Sequence, residues 1–364
     1  MASTAKDRAF NRALLSQRRK LASETQKFDG PAKQYVRVYG WLSYIKDFIN
    51  RRTEAGIATP CKYLTLPGPN MTDIGVLWNA GLIEVPVGKL KIAICEKEYA
   101  ELVVTQLEEL GVDIVPYGNQ LLHEVLRRKN HPLREEFPFD VVNFDLCNAL
   151  LTGTRKYSNL DALQWIFRLQ RGQRFLLLLT TRANDRFDDD LVKLLKLNYD
   201  SVAGFKEAYN TKFEQAKVNP FNDSTLFSRL VFPKLIARYA RTFGYKVIEH
   251  LATYYSRQRD DESNYYMLTH TLELEPLTPK GERDTFFPCF DKVPENEHQE
   301  KTRVLLTENN RDKAAKAYSN FVKELLIKPF VNVDELLDNN PALKATMQRE
   351  EQALLKWWER VRAS

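Results

Sequence analysis

The chain has 364 residues, of which 43% are hydrophobic and 28% charged, and a formal net charge of +6. That length suits one large α/β domain with additions, or two domains, and the balance is that of an ordinary globular protein. No apolar run approaches the roughly 18 residues that a membrane helix needs, and the N-terminus lacks a signal-peptide apolar block. The expected location is the cytoplasm, with no membrane partner. Cys61, Cys95, Cys147 and Cys289 show no CxxC or Cys/His spacing, so they read as reduced packing residues and no metal site is expected.

Residues 4–24 carry Phe10, Leu14, Leu15 and Leu21 near helical spacing, and residues 31–52 read as a second helix. A short strand at 35–41 is the alternative there, because Tyr35 to Trp41 is rich in aromatic and β-branched residues. Strands and helices then alternate. Strands are expected at 62–66, 91–95, 112–115, 139–144 and 174–180. Helices are expected at about 72–80, 97–110, 119–129 and 158–170, with Gly111 and Gly172 as C-caps. Most of these strands are continuous apolar runs, as in a parallel sheet covered on both faces. Residues 186–243 read as a mostly helical insertion. Residues 245–255 and 264–274 read as a long hairpin, in which His250 and His270 would face each other as a cross-strand pair. Four prolines mark 276–301 as a linker, and helices follow at 308–327 and 333–362, the second broken near Asn339-Asn340-Pro341.

Three domains are expected: a basic helical extension at 1–57, an α/β domain at 58–275, and a linker with helices at 276–364. Residues 1–60 hold twelve Lys/Arg and five Asp/Glu, so this segment carries the whole positive excess. A basic arm on a near-neutral body suggests a polyanion such as a nucleic acid; a solvated helix face is the plain alternative. Trp357-Trp358 near the C-terminus suits a protein-docking surface, or packing on the body. The mixed aromatic and basic positions around Phe227, Arg229 and Arg238 could track a nucleic-acid backbone with stacking; an ordinary helix with its basic groups snorkelling is the favoured reading.

Ligands of open α/β sheets sit beyond the carboxyl ends of the strands. Four stretches hold residues there: the Tyr63-Leu64-Thr65-Leu66-Pro67-Gly68-Pro69-Asn70 turn with Asp73 in the helix after it, Glu96 ending the second strand, Tyr117-Gly118 after the third, and Asn143 to Asn148 at the fourth. A Gly/Pro turn keeps side chains clear of a ligand, the helix start after it offers N–H groups, and a carboxylate at a strand end suits a ribose diol. In this order, followed by a hairpin, residues 58–275 resemble the class I S-adenosylmethionine-dependent methyltransferases. The first motif is degenerate: Thr65 stands where the family usually has an acid, and Pro67 and Pro69 replace glycines.

The resemblance implies a Rossmann-like, mostly parallel sheet ending in an antiparallel hairpin. It implies S-adenosyl-L-methionine as cofactor, held by Leu66, Pro67, Gly68, Asp73, Glu96, Tyr117 and Gly118. It puts Asp145 and Asn143 at the reacting group. The expected function is methyl transfer to a nucleic acid or a nucleic-acid-associated substrate. The alternative is an inactive scaffold of the same fold that binds nucleic acid through its N-terminal region or a protein through its C-terminal helices. No P-loop and no GxSxG elbow is present.

Overall fold

The computed structural model describes residues 13–17, 30–83, 89–112, 114, 118–150, 158–183, 223–258, 264–277 and 330–363. Most of the 4–24 helix, much of the 186–243 insertion and nearly all of 276–327 lie outside the described residues.

Among the described residues a seven-stranded sheet forms the centre. Its strands are β1 (Cys61–Thr65), β2 (Leu90–Ile94), β3 (Val141–Ala149), β4 (Phe175–Arg182), β5 (Tyr245–Gln258), β6 (Asn264–Pro276) and β7 (Val331–Asn332), in the order β2-β1-β3-β4-β6-β5-β7. The β1–β2, β1–β3 and β3–β4 pairs are parallel, and β6 runs antiparallel between β4 and β5. Of the third expected strand, 112–115, only Val112 and Ile114 are among the described residues; Ile114 bridges Ile92 in parallel outside β2, and Gly118 bridges Cys95 in the same sense.

The helices are α1 (Pro31–Tyr35), α2 (Ser43–Glu54), α3 (Thr72–Asn79), α4 (Ala100–Glu109), α5 (Leu122–Arg127), α6 (Pro132–Glu135), α7 (Ser158–Leu169), α8 (Ser224–Thr242), α9 (Val333–Asp338) and α10 (Pro341–Ala363). Between α1 and α2, Val36–Leu42 forms a π-helical stretch, so the whole of 31–54 is helical and the strand alternative at 35–41 fails. Asn340 separates α9 from α10, and its Oδ1 accepts from the Leu343 N–H at 3.2 Å.

Period-two alternation divides the core. Leu64, Val142, Leu177 and Leu179 face one layer with Leu126, Leu163, Phe167 and Ile236. Tyr63, Val141, Leu176 and Leu178 face the other, with Ile45, Phe48, Leu77, Leu102 and Trp358. The second layer brings the N-terminal helices and α10 together. The Gly30 N–H donates to Glu351 of α10. Gly75 of α3 sits where any Cβ would come within 3.0 Å of both Leu354 and Trp358. Trp358 is therefore fully buried and Trp357 lies against Trp78, with ring centroids 5.7 Å apart. Trp358 packs into the body, and Trp357 lies half-buried beside it.

Part of the N-terminal charge is paired inside the fold. Arg51 grips Glu273 with two hydrogen bonds at 3.0 and 3.1 Å, and Arg52 pairs with Asp140. Arg174 and His250 complete the shell of Glu273 at 2.5 and 2.7 Å. Burial alone would raise the Glu273 pKa, but the hydrogen bonds from His250 and Arg51 and the charge of Arg174 outweigh it and hold it at about 2.

A bulge at His250 breaks the hairpin register, with Glu249 opposite Leu272 and Leu251 opposite Thr271. His250 stacks on Tyr44 on one face. His270 bonds Glu249 at 2.9 Å, with Leu268 and Leu272 in the other layer. The two histidines do not face each other, and among the described residues no cluster of metal-ligating groups exists. No described helix is long and apolar enough to cross a membrane.

Candidate functional site

From β1 the chain moves outward to β2 and then returns to β3 on the other side of β1. The carboxyl ends of β1 and β3 therefore flank a topological switch point, where open α/β sheets form a crevice. The first turn, Leu66 to Met71, borders it. Gly68 has a φ of 60°, and no atom lies within 4 Å of where its Cβ would stand, so the turn is tight and its outer side open. Leu66 instead packs on the first core layer.

Across from the turn stands Glu96. Its Oε1 accepts from the N–H groups of Glu98 and Tyr99 at 2.8 and 3.3 Å, and the nearby Gly68 N–H also favours the charged carboxylate. Burial pushes its pKa up. Gly118 lies beside it with its backbone committed to β2: its carbonyl accepts from Glu96 N–H and its N–H donates to Ile94 O. A Cβ at Gly118 would come within 3.0 Å of Val125 and 3.1 Å of Cys95, so close packing fixes this glycine. Tyr117 lies outside the described residues.

Asp73 turns inward. Its Oδ2 accepts from Thr65 Oγ1 at 2.6 Å, Asn143 Nδ2 at 3.1 Å and Tyr63 Oη at 3.3 Å. The residue is 6% exposed, and burial raises its pKa. A carboxylate thus reaches the end of β1 from α3, beside the threonine that stands in the strand itself. Asn143 also holds Tyr63 Oη and Thr65 Oγ1, at 3.1 and 3.2 Å; it braces β1 against β3.

Asp145 meets a residue that no local pattern points to. Lys33 Nζ, from α1, lies 2.5 Å from both Asp145 oxygens and 5.0 Å from the Trp41 ring centroid. Burial lowers the Lys33 pKa, as do Arg37 and Arg257, while Asp145 opposes them. Register places Asp145, Thr180, Thr269 and Thr253 in one row across β3, β4, β6 and β5. The three threonines are buried. Two residue pairs nearer the amino ends of the parallel strands, Thr271 Oγ1 donates to the Gly40 carbonyl of the π-helical stretch at 2.6 Å. Such stretches recur at functional sites; this one carries Arg37, follows Lys33 of α1, and packs on a polar strip. The signal for that strip was the Thr-Thr end of β4 and the threonines of both hairpin arms. Nothing near residue 33 signals Lys33.

Counting the bridges of Ile114 and Gly118 as the third strand position, and leaving aside the short β7 at the far edge, the sheet has the strand order of the class I methyltransferase fold, and that is the class of this protein. The chain belongs to the PP_RS20740-like family, whose model matches residues 26–82 and 127–359. No curated protein matches the sequence. Among solved structures it is similar to M. jannaschii TYW2 in complex with AdoMet, at 10% identity and a TM-score of 0.30, covering 63% of this chain and 76% of that one. It is also similar to the rRNA methylase from Streptococcus thermophilus, at 13% and 0.27, covering 64% and 94%. A third is the Burkholderia thailandensis 1,6-didemethyltoxoflavin-N1-methyltransferase, at 10% and 0.29, covering 76% and 92%. At these scores it is the strand order, and not the likeness, that carries the fold.

Proposed function

We propose that the protein is a methyltransferase that uses S-adenosyl-L-methionine. The observation that supports this reading is the approach of Glu96 to Gly68 across the crevice at the switch point. The residues fit the cofactor: Gly68 leaves room for it, and Glu96 would exchange the Gly68 N–H for the ribose hydroxyls. The cofactor, when bound, supplies an electrophilic methyl group. Asp145 would orient the acceptor, and Lys33 would hold that carboxylate in place. Asn143 and Asp73 position the ends of β1 and β3 from beneath.

A nucleic acid or nucleic-acid-associated molecule is the proposed acceptor. Its support is the basic segment before residue 30, with Lys6, Arg8, Arg12, Arg18, Arg19, Lys20 and Lys27 against Asp7, Glu24 and Asp29. Lys33, Arg37, Arg51 and Arg52 add little to it, since the first two are buried and the last two are paired within the fold.

One observation favours a second reading, an inactive scaffold: Asp145 is already neutralised by Lys33, and Pro67 and Pro69 remove N–H groups from the turn. On that reading a protein partner would meet the outer face of α10.

Calorimetric titration with S-adenosylmethionine and S-adenosylhomocysteine separates the two. Saturable binding that is lost in Glu96→Ala is the expected result. No heat with either ligand from folded protein leaves the scaffold.

A further inference from the structure

At the β5 end of the same edge, a cavity of about 430 Å³ opens beside Lys33. That is within the range of small-ligand sites. Two amines stand in its wall, Lys33 and Lys344, and their surroundings differ. Lys344 is 42% exposed and paired with Asp338 at 2.8 Å. The Lys33 side chain is 6% exposed, with Nζ 2.5 Å from both oxygens of Asp145.

A lysine so placed is set up as a nucleophile. An amine attacks in its neutral form, and a lysine gains that form more readily when it is desolvated or stands beside other cations. Both conditions hold here. Burial is the largest influence on Lys33 and lowers its pKa; Asp145 raises it, Arg37 and Arg257 lower it again, and the balance lies below the ordinary 10.5. Asp145 is also a proton acceptor within hydrogen-bond reach, so the proton that Lys33 gives up has a place to go.

The second observation is Tyr255. It lines the same cavity, is 1% exposed, and its hydroxyl makes no hydrogen bond within the protein. A buried hydroxyl without a partner costs free energy comparable to a lost hydrogen bond. Burial pushes its pKa up, so the hydroxyl keeps its proton and is a donor for the oxygen of a ligand beside Lys33. Asp334, also in the wall, accepts from the Ser256 N–H at 2.5 Å.

We propose that Lys33 forms an imine with a small aldehyde in this cavity, with Asp145 carrying the proton and the Tyr255 hydroxyl holding the aldehyde oxygen. Asp145 takes a proton from the Lys33 ammonium. The free Nζ attacks the carbonyl carbon, a C–N bond forms, and an Nζ proton passes to the carbonyl oxygen to give a carbinolamine. Asp145 returns its proton to the new hydroxyl, the C–O bond breaks, and water leaves. The product is a protonated imine, which keeps its positive charge against Asp145. No oxidant, reductant or methyl donor enters, so the step goes beyond the reading above and stands whether or not S-adenosylmethionine binds.

The test is reductive trapping on the full chain. Propionaldehyde is titrated at pH 7 in the presence of sodium cyanoborohydride, which reduces the imine to a stable secondary amine. Peptide mass spectrometry follows the labelling of each lysine, with Lys344 and the exposed Lys46 as internal controls. Lys33 should label at least about tenfold faster than either, since each unit of pKa lowering enlarges the neutral amine fraction about tenfold, and its rate should saturate as the aldehyde rises. Tyr255→Phe should slow Lys33 severalfold and leave both controls unchanged, with unchanged near-UV circular dichroism. Labelling of Lys33 at or below the control rate overturns the proposal. So does fast labelling that never saturates, or that is the same in Tyr255→Phe, because the cavity then holds no aldehyde.

Discussion

Lys33 Nζ lies 2.5 Å from each carboxylate oxygen of Asp145 and joins the first helix to the middle of the sheet across 112 residues of sequence. Both side chains are withdrawn from solvent, at 6% and 21% exposure. Removing one partner of such a pair leaves the other uncompensated. Lys33→Met should lower stability by about 3 kcal/mol, and adding Asp145→Asn should restore most of it. Denaturant unfolding of the two single variants and the double variant checks this; independent, additive losses would refute the coupling.

Asp73 gives a pH prediction of definite sign. Because burial raises its pKa above the ordinary 3.8, the folded state holds the proton more tightly than the unfolded state. The contribution of Asp73 to stability is therefore largest in acid and declines as pH rises from 3.8 through its raised value. Relative to Asp73→Asn, the wild type should lose stability over that interval and run parallel above it. Asp73→Ala, which strands Thr65, Tyr63 and Asn143, should cost about 3 kcal/mol.

Glu273 runs the opposite way. Its folded pKa of about 2 lies below the ordinary 4.5. Its contribution is complete above 4.5 and is lost as pH falls towards 2. Glu273→Gln should lower stability by about 2 kcal/mol at neutral pH, and the gap to wild type should narrow in acid. Thermal melts of both proteins between pH 7 and 3 measure this. A constant gap would mean that Glu273 owes nothing to its charge.

The contact between α3 and α10 leaves no room at Gly75. Gly75→Ala should displace Leu354 and the Trp358 ring and cost about 1–3 kcal/mol despite the better helix propensity of alanine. Trp358→Ala should cost about 3–5 kcal/mol. If Gly75→Ala is stabilising instead, the close approach is not what holds α10 in place.

The elements of the fold were largely legible because their signals are local. Apolar runs such as Phe175 to Leu179 and the C-cap glycines Gly111 and Gly172, both at left-handed φ of 70° and 78°, depend on a few neighbouring residues. The third strand is seen in the described residues through the bridge of Ile114 to Ile92. The candidate site was legible only on its strand side. Glu96, Asp145 and Asn143 stand at strand ends, where the sequence pattern predicts them. Lys33 and Arg37 arrive from a helix whose sequence reads as an ordinary amphipathic face, and Asp73 points under the turn where its spacing suggested a helix-start carboxylate. Those directions depend on tertiary packing, which has no local period.

The bulge at His250 has one more implication. Strict alternation would put Glu249 and Leu251 on the same side of the hairpin. The extra residue lets Glu249 meet His270 on one side while Leu251, Thr253 and Tyr255 line the other. Excising that single position would force one arm to turn inside out: either Tyr255 leaves the second core layer, or Tyr245 leaves its aromatic neighbours Phe167 and Phe175. His250 thus acts as a parity switch in the chain, and a length change there is more damaging than any substitution at the same place.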